Sequence, residues 1–239
     1  MEINQAVILA GGSGKRLWPL TRYIPKPMVE VEKKPFLEYI IQQLYDQGIG
    51  KILILTGYKG DKIIEHFGDG LEFGVDIDYS IGEIDDKTGK RMKKAEDLLD
   101  RNFLMVYCDT LCNLNLKDLL YAFKSNGRLC MTTAYTNPDG KGEYGKDNNL
   151  MWDDNNIVLS YNLGDKRINN TGINIGYYLI NRKVVKYMPE ENISFESDFF
   201  YWLIKRKQLT VYPTDKRYFY LTLPDDIKKF KGFKNEFYK

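Results

Sequence analysis

The amino-acid sequence predicts an α/β fold with a mainly parallel sheet and helices on both of its faces. Short apolar runs alternate with segments in which apolar residues recur at helical spacing, and the links between them are short. The chain has 239 residues, of which 43% are hydrophobic and 28% charged, so it can bury a large core without disulfides or a structural metal. Length alone does not decide between one domain and two.

Strands and helices alternate through the first 135 residues. Gln5–Ala10 is a short apolar run that ends in glycines, which is typical of a buried strand. Apolar residues then recur at helical spacing between positions 36 and 44, and Gly48 ends that helix. Further strands are predicted at Lys51–Thr56, Val75–Ser80, Asn102–Cys108 and Leu129–Tyr135, and further helices at Gly60–Phe67, Lys90–Asp100 and Leu116–Lys124.

After residue 135 the pattern changes to turns and short strands. Strands are predicted at Leu150–Trp152, Ile157–Tyr161, Ile173–Ile180 and Leu209–Tyr212, and helices at Ser197–Lys207 and Pro224–Phe233. Asp225 and Asp226 suit the beginning of the last helix. We expect a single domain over residues 1–239, with a core of residues 1–135 and a β-rich portion of residues 136–239.

The charge balance excludes several classes of partner. The 35 Lys and Arg residues and 33 Asp and Glu residues leave a net charge of +2, which gives no electrostatic reason to expect a nucleic acid or a membrane surface. The apolar runs are far shorter than the roughly 20 residues of a membrane span. Glu2 leads straight into a strand-like run, unlike a signal peptide, so we expect a cytoplasmic enzyme.

Three cysteines and one histidine restrict the chemistry further. Cys108, Cys112 and Cys130 have no neighbouring histidine and are too few for a zinc site, so we interpret them as reduced structural thiols. His66 lies in a helix-like segment and is interpreted as a surface or capping residue. An enzyme that depends on a Ser-His-Asp or Cys-His arrangement is therefore not expected.

A glycine turn with clustered cations follows the first strand. Gly11, Gly12 and Gly14 let backbone N–H groups approach an anion closely. Cationic side chains follow over the next dozen residues, at Lys15, Arg16, Arg22 and Lys26. This combination describes a cradle for a polyphosphate, although composition alone leaves a tight turn on a solvated basic loop equally open.

Two familiar glycine motifs do not match this turn. A Walker loop needs Ser or Thr after Gly14-Lys15, where this chain has Arg16, and a further glycine at the position of Leu9. A dinucleotide-binding fingerprint that begins at Gly12 would need a small residue in place of Leu17.

The run Leu9-Ala-Gly-Gly-Ser-Gly-Lys-Arg-Leu-Trp-Pro-Leu-Thr21, followed by Pro25-Lys26-Pro27, resembles the signature of the sugar-1-phosphate nucleotidyltransferase family. That signature reads L-A-G-G-x-G-T-R-L-x-P-L-T and then P-K-P, and this chain departs from it only at Lys15, where Thr is usual. The resemblance implies a Rossmann-like sheet and a small C-terminal β-rich sugar-binding portion. In its overall sequence pattern the chain is similar to hexose-phosphate cytidylyltransferases and heptose-1-phosphate guanylyltransferases.

The resemblance also implies roles for individual residues. The nucleobase and ribose would face the backbone of Leu9, Ala10, Gly11 and Gly12, and the β- and γ-phosphates would be held by Gly14, Lys15 and Arg16. Lys26 would contact the α-phosphate. Asp109, after a buried strand, would bind Mg²⁺. Arg16, Lys26 and Asp109 are accordingly the predicted catalytic residues.

A second nucleotide contact is implied by Thr88-Gly89-Lys90-Arg91, which is similar to the T-G-G-R-like segment of cytidylyltransferases that act on hexose phosphates. It places a nucleotide contact at Gly89 or Arg91 and favours CTP mildly, while GTP stays open. The alternative is a helix N-terminus with solvated charges.

The acceptor side is implied by two further segments. Asn174 lies in a stretch that resembles the family's sugar-pocket segment, and Glu196 lies in one that resembles its S-x-E segment. Hydrogen bonding within a strand pair is the alternative for Asn174, and a helix cap is the alternative for Glu196.

The chain departs from the family at two places. Relatives carry an E-K pair whose lysine binds the sugar phosphate, and here only Lys166 or Arg167 could replace it. Relatives also end in a D-x-G-T-P-like turn whose Asp is a second Mg²⁺ ligand, whereas the run Tyr220-Leu-Thr-Leu-Pro-Asp-Asp226 has no carboxylate there and offers only Asp225 as a weak substitute.

Three hypotheses follow. The leading one is an Mg²⁺-dependent enzyme that joins an NTP, with CTP or GTP favoured, to a sugar 1-phosphate and releases pyrophosphate. The NDP-sugar would serve surface glycans such as capsule or lipopolysaccharide. The second is a catalytically silent nucleotide-binding or regulatory homologue, and the third is a transferase for a non-sugar phosphate such as phosphocholine. A homo-oligomer is left open.

Overall fold

A computed structural model describes residues 3–137, 148–161 and 171–237 of the chain, and the predicted α/β class is confirmed there. The strands are β1 (Gln5–Ala10), β2 (Glu30–Val31), β3 (Lys34–Pro35), β4 (Lys51–Thr56), β5 (Asp76–Ile81), β6 (Asn102–Tyr107), β7 (Thr110–Cys112), β8 (Cys130–Tyr135), β9 (Leu150–Trp152), β10 (Val158–Tyr161), β11 (Thr171–Asn181), β12 (Leu209–Thr214) and β13 (Tyr218–Tyr220). The α-helices are α1 (Phe36–Asp46), α2 (Gly60–Phe67), α3 (Thr88–Lys94), α4 (Leu116–Asn126), α5 (Lys183–Lys186), α6 (Phe200–Lys205) and α7 (Pro224–Phe237).

Nine of the described strands form one sheet, with β1 in its interior. β1 pairs in parallel with β4 on one side and β6 on the other, and β5 pairs in parallel with β4. All six residues of β1 are buried, which explains why its sequence is continuously apolar. Because these four strands are parallel, their carboxyl ends lie at one edge of the sheet.

The second half of the chain completes the same sheet. β11 is antiparallel and lies between β6 and β8, and β12 pairs in parallel with β8. The short β9 and β10 continue from the beginning of β11. β11, the central strand of the β-rich portion, therefore lies in the same sheet as the strands of residues 1–135.

Helices cover both faces of the sheet, as predicted. Ile8 belongs to a hydrophobic cluster with the apolar residues of α1, α2, α4 and α7. Its neighbour Val7 belongs to a second cluster with those of α3, α5 and α6. Alternate residues of one strand point to opposite faces, so β1 contributes to both clusters.

Two helices differ from the sequence prediction. The helix expected over Lys90–Asp100 is α3 followed, after Ala95, by a separate 3-10 turn at Glu96–Leu98. The helix expected over Ser197–Lys207 begins as a π-helical turn at Phe195–Phe199 and ends with α6. The expected beginning of α7 is confirmed, because Asp226 Oδ2 accepts hydrogen bonds from the N–H groups of Thr222 and Leu223 at 2.9 and 2.7 Å.

Two three-residue strands were not predicted. β7 and β13 pair antiparallel, with Tyr220 opposite Thr110. The pairing continues where Leu221 N–H donates to the carbonyl of Asp109 at 2.9 Å. The pairing of β13 with β7 therefore places the segment just before α7 beside the carboxyl end of β6.

The interpretation of the cysteines and the histidine is confirmed. Cys108, Cys112 and Cys130 are buried and form no disulfide. His66 is partly exposed on α2, where its Nε2 lies 2.9 Å from Glu38 Oε1.

Candidate active site

A cleft of 430 Å³ lies at the carboxyl ends of the parallel strands. Its walls include most residues of the predicted nucleotide site, namely Leu9, Gly11, Gly12, Gly14, Lys15, Arg16, Lys26, Arg91 and Asp109. A larger and more open depression of 1090 Å³ lies elsewhere, between the end of α1 and the beginning of α4, and contains none of these residues. The smaller cleft is therefore the candidate site.

The glycine turn after β1 forms one wall of the cleft. Gly14 has the left-handed backbone angles φ 60° and ψ 31°, and its carbonyl accepts hydrogen bonds from Leu17 N–H at 2.9 Å and Thr21 Oγ1 at 2.8 Å. A side chain at Gly14 would be strained by this φ and would lie 3.0 Å from Lys26 Cβ. Lys15 and Arg16 follow at once and are exposed, so the turn holds two cations at the mouth of the cleft.

Arg91 forms the floor of the cleft at the opposite end. Its guanidinium donates to the carbonyls of Thr56 at 2.5 Å, Glu83 at 2.7 Å and Gly11 at 3.3 Å. The side chain is buried, and burial lowers its pKa from the usual value. Because these N–H groups are bonded to backbone carbonyls, Arg91 ties together the turns that follow three neighbouring strands.

Three glycines make room for this guanidinium. A Cβ on Gly11 would overlap it, and a Cβ on Gly57 or Gly82 would lie 2.5 or 2.7 Å from Arg91 Nη1. The glycine at position 11 is therefore required for a packing reason as well as for approach to a ligand.

Lys26 and Asp109 form an ion pair inside the cleft, between Lys26 Nζ and Asp109 Oδ2. Both side chains are 11% exposed. Burial alone would lower the pKa of Lys26, but the Asp109 carboxylate and Tyr220 outweigh it and the pKa is raised. Lys26 Nζ also lies over the Tyr220 ring, 5.2 Å from its centroid. The lysine is thus held as a charged group at the base of the cleft.

A second cavity of 180 Å³ adjoins the cleft, and Tyr107 and Tyr220 line both. In it Glu196 accepts hydrogen bonds from the phenols of Tyr107, at 2.7 Å, and Tyr178. Asn174 Nδ2 donates to Glu196 Oε1 at 2.9 Å. The structure therefore brings the two predicted acceptor residues, Asn174 and Glu196, into direct contact beside the nucleotide cleft.

A β-bulge in β11 aims Asn174 into this cavity. Gly176 has φ +82°, and its N–H donates to Asn174 Oδ1 at 3.1 Å. A Cβ on Gly176 would lie 2.7 Å from the Tyr107 ring. Thr132 also donates to Asn174 Oδ1, at 3.0 Å, so the hydrogen bonding within a strand pair considered for Asn174 is present too.

Burial has the largest effect on the pKa values of the ionisable side chains in and beside the acceptor cavity. It raises the pKa of Glu196, and the hydrogen bonds from Tyr178, Tyr107 and Asn174 oppose this only in part. Burial, with the nearby Glu196 charge, also puts the pKa values of Tyr107 and Tyr178 well above the usual range. Both phenols therefore remain hydrogen-bond donors at neutral pH.

Three predicted residues lie outside the cleft. The N–H of Gly89 donates to the carbonyl of Ile193 at 3.0 Å, and a Cβ on Gly89 would lie 2.9 Å from the Ile193 side chain, so packing against Ile193 accounts for this glycine. Gly89 does not line the cleft, whereas Arg91, the other residue of that prediction, does, so a nucleotide contact in this segment stays a prediction. Ala10 is fully buried at the end of β1, and only its neighbours line the cleft. Asp225 is exposed on α7, pairs with Lys228 at 3.7 Å and does not line the cleft that contains Asp109.

Two further sequence predictions have different outcomes. Lys166 and Arg167, the candidates for the acceptor phosphate, lie outside the described residues. The helix cap considered for Glu196 is supplied by Ser194 instead, whose hydroxyl accepts a hydrogen bond from Ser197 N–H at 3.3 Å.

Sequence reasoning missed several residues that line the two cavities, and three of them bear most on the chemistry. Tyr220 occupies the run in which a carboxylate was sought, Tyr107 lies two residues before Asp109, and Asp86 lines the Arg91 end of the cleft. The position of Tyr107 beside a predicted ligand was a usable signal. Tyr220 and Asp86 carried none, because only the pairing of β13 with β7 and the course of the loop before α3 bring them here.

Asp109 is the residue in the cleft that is suited to hold a metal. Its Oδ1 accepts a hydrogen bond from Thr110 Oγ1 at 3.2 Å, and its Oδ2 pairs with Lys26. Within the described ranges, no group of three or more His, Cys, Asp or Glu residues has the arrangement of a metal site. In the same ranges no helix is both long and apolar enough to cross a membrane.

The chain is similar in sequence to several known proteins. It is 30% identical over 230 residues to D-glycero-α-D-manno-heptose 1-phosphate guanylyltransferase from Aneurinibacillus thermoaerophilus, covering 94% of this chain and 96% of that one. It is also 30% identical to a probable glucose-1-phosphate cytidylyltransferase from Bacillus subtilis, with 94% and 92% covered.

A solved structure agrees with the fold. The crystal structure of HddC from Yersinia pseudotuberculosis complexed with GMP-PN superposes with a TM-score of 0.77 at 27% identity, covering 95% of this chain and 97% of that one. A family model for nucleotidyl transferases matches residues 5–219. This range contains the glycine turn, Asp109 and every described lining residue of the two cavities except Tyr220. By sequence and fold, the chain belongs to the nucleotidyl transferase family.

Proposed function

We propose that this protein joins an NTP to a sugar 1-phosphate, giving an NDP-sugar and pyrophosphate, with GTP or CTP as the nucleotide. The observation that carries the proposal is the pair of adjoining cavities, of 430 and 180 Å³, that share Tyr107 and Tyr220 as walls. The first is lined by glycines and cations and suits a triphosphate. The second is lined by hydrogen-bonding side chains and suits an acceptor rich in hydroxyl groups. The relatives named above act as a guanylyltransferase and a probable cytidylyltransferase, which supports the two nucleotides.

The reaction needs alignment and charge neutralisation more than proton transfer. A sugar phosphate is an anion at neutral pH, so its oxygen can attack the α-phosphorus without a general base. Lys15 and Arg16 would hold the β- and γ-phosphates, and Lys26 would neutralise the charge that develops at the α-phosphate. A site with no histidine in its walls is sufficient for this chemistry.

Lys26 is prepared for this role by its present partner. Its ammonium is buried, charged and paired with Asp109, so it is already desolvated and positioned at the base of the cleft. An incoming phosphate would offer it a second anionic partner. Arg16, which hydrogen-bonds the phenol of Tyr220, would complete the cationic wall.

The residues in the cleft fit a magnesium ion. Mg²⁺ is usually held by one or two carboxylates together with substrate phosphates, and Asp109 supplies a nearly buried carboxylate next to the proposed phosphate site. When bound, the ion would neutralise phosphate charge. Lys26 lies beside this carboxylate and would contact the α-phosphate.

In the acceptor cavity Glu196 and Asn174 would bind sugar hydroxyl groups. Glu196 is fixed by two phenols and one amide, so its orientation does not depend on the ligand. A hydroxyl that donates to this carboxylate would stabilise its charged form in a site where burial disfavours that form.

One observation favours a second acceptor class. Four tyrosines line the acceptor cavity together with Glu196, at positions 107, 161, 218 and 220. Aromatic rings and a carboxylate also recognise quaternary ammonium groups. Phosphocholine is therefore the second candidate acceptor.

The test is a pyrophosphate-release assay of four NTPs against hexose 1-phosphates, heptose 1-phosphates and phosphocholine, each with and without Mg²⁺. Turnover with a sugar phosphate alone supports the first proposal, and turnover with phosphocholine alone supports the second. Saturable nucleotide binding without turnover for any acceptor would identify a catalytically silent homologue.

The Lys26→Gln variant checks the assigned mechanism. It should lower kcat for pyrophosphate release by about 10²-fold or more, because it removes one donor that stabilises developing charge. The matched control is Lys62→Gln, which removes an exposed lysine that pairs with Glu65 on α2. A Lys26→Gln enzyme as active as the control would remove Lys26 from the mechanism.

A further inference from the structure

The two ends of the nucleotide cleft differ in their balance of charge. Three cations, Lys15, Arg16 and Lys26, line the cationic end near Asp109, whereas Asp86, Lys87 and Arg91 line the other end. A Cβ on Gly82 would lie 2.7 Å from Arg91 Nη1 and 2.8 Å from Asp86 Oδ2, so these two side chains are neighbours. The glycine turn and the three cations favour the triphosphate at the cationic end, which leaves the Asp86 end of the cleft to the nucleobase.

Asp86 is fixed and ionised. Its Oδ2 accepts hydrogen bonds from Glu83 N–H at 2.8 Å and from Lys94 Nζ at 2.6 Å, and the side chain is 9% exposed. Burial by itself would raise its pKa, but the bonds from Lys94 and Glu83 outweigh this and hold the pKa below the usual range. In the described part of the chain, no donor is bonded to Oδ1.

The other side chains at this end are already engaged. Arg91 donates to backbone carbonyls. The Lys87 ammonium lies 3.6 Å from Asp198 Oδ2, and the Thr88 hydroxyl accepts a hydrogen bond from Phe195 N–H at 2.8 Å. Among the described side chains at this end, Asp86 Oδ1 is therefore the acceptor that is available to a base.

A carboxylate oxygen only accepts hydrogen bonds, and this requirement separates the four bases. On its Watson–Crick edge guanine carries two adjacent donors, N1–H and N2–H. Cytosine and adenine each place a ring-nitrogen acceptor beside their amino group. Uracil has one N–H between two carbonyl oxygens, both of which a carboxylate would repel.

We propose that Asp86 selects guanine, with Oδ1 accepting from N1–H and N2–H, and that GTP is the preferred nucleotide of this protein. The proposal rests on the proposed nucleotidyltransferase function and assigns it a nucleobase and a specificity-determining residue.

The test is equilibrium binding of GTP, CTP, ATP, UTP and inorganic tripolyphosphate to the full-length chain and to Asp86→Asn, measured by calorimetry. The wild type should bind GTP at least about tenfold more tightly than the other three nucleotides. Asp86→Asn should lose at least about tenfold in GTP affinity, because a charged acceptor is replaced by a neutral amide. Tripolyphosphate should bind both proteins equally, since its site is at the cationic end.

Two further variants separate base recognition from local structure. Asp85 is next to Asp86 in the chain but does not line the cleft. Asp85→Asn removes its charge and should keep the preference for GTP. Lys94→Met removes the ion pair with Asp86 but leaves the Asp86 carboxylate in place. This variant should also keep the preference for GTP.

Several results would overturn the inference. They are unchanged GTP affinity in Asp86→Asn, a wild-type preference for another base, or a loss of preference in Lys94→Met equal to that in Asp86→Asn. If any of these occurs while the wild type still releases pyrophosphate, only the role of Asp86 fails. A wild type that binds no NTP would refute the proposed function together with this inference.

Discussion

Gly11 and Gly12 follow one another in the turn after β1, but a methyl group added to each would meet different surroundings. At Gly11 it would overlap the Arg91 guanidinium, whereas at Gly12 there is nothing within 4 Å. We expect Gly11→Ala to lower the free energy of unfolding by about 1–3 kcal/mol, the usual cost of overpacking. Gly12→Ala should stay within about 0.5 kcal/mol of the wild type. Urea denaturation of the three proteins measures both values, and equal effects would contradict the packing role assigned to Arg91.

Glu196 should give the folded protein a specific pH dependence. Its pKa is raised by burial, so the folded state favours the protonated acid more strongly than the unfolded chain does. Below the ordinary pKa of about 4.3 the acid is protonated in both states. As the pH rises through the raised folded value, the wild type must ionise a buried group and loses stability relative to Glu196→Gln.

The measurement is urea denaturation of both proteins at a series of pH values from about 4 to 7. The wild-type free energy of unfolding minus that of Glu196→Gln should fall as the pH increases. Contributions from the other carboxylates are common to both proteins and cancel. A difference that stays constant or rises with pH would show that the phenols of Tyr107 and Tyr178 stabilise the carboxylate at least as much as burial destabilises it.

The secondary-structure elements differ in how well their sequences predicted them. β1, β4 and α2 have the bounds that the sequence predicted. Each is a continuous apolar run or a strongly amphipathic segment, so its own residues determine its structure. No sequence pattern marked β7 and β13 as strands, because each is stabilised by pairing with a segment about a hundred residues away.

The residues of the site divide in the same way, into those that the local sequence predicted and those that distant pairing brings there. The glycine turn and Lys26 lie within one contiguous segment, so the local sequence predicted this wall of the cleft. Tyr220 reaches the site through the pairing of β13 with β7, which the local sequence did not reveal. The family comparison drew attention to its position only as a missing carboxylate.

α3 shows why charge patterns can mislead. Its sequence is polar, which left a helix N-terminus with solvated charges open as the alternative to a nucleotide contact, but Arg91 points inward and is buried. The reason is not local: the guanidinium finds carbonyl acceptors at the ends of β1 and β4 and in the loop after β5. A buried arginine is tolerated when its N–H groups are bonded in this way, and those acceptors come from three separate segments.

The arrangement of the sheet makes the whole molecule dependent on its second half. β8 is the last strand of the first 135 residues, yet its two partners, β11 and β12, both come later in the chain. β11 also covers one side of β6, whose other side pairs with β1. The hydrophobic cluster around α1 likewise includes Phe219 and Phe230 from the end of the chain.

A fragment of residues 1–135 should therefore fail to fold by itself. It would retain β1, β4, β5 and β6, but β6 would become an unpaired edge and β8 would have no neighbour in the sheet. Part of the core around Phe36 would be exposed, because its ring packs 5.6 Å from that of Phe230 and 5.8 Å from that of Phe219. We expect the fragment to show no cooperative urea transition and no near-ultraviolet circular dichroism from fixed tyrosines. Co-expression with residues 136–239 should restore both signals, since that piece supplies β11, β12 and α7. A cooperative transition of the fragment alone would mean that residues 1–135 form an independent domain, and that the sheet shared between the two parts is not required for folding.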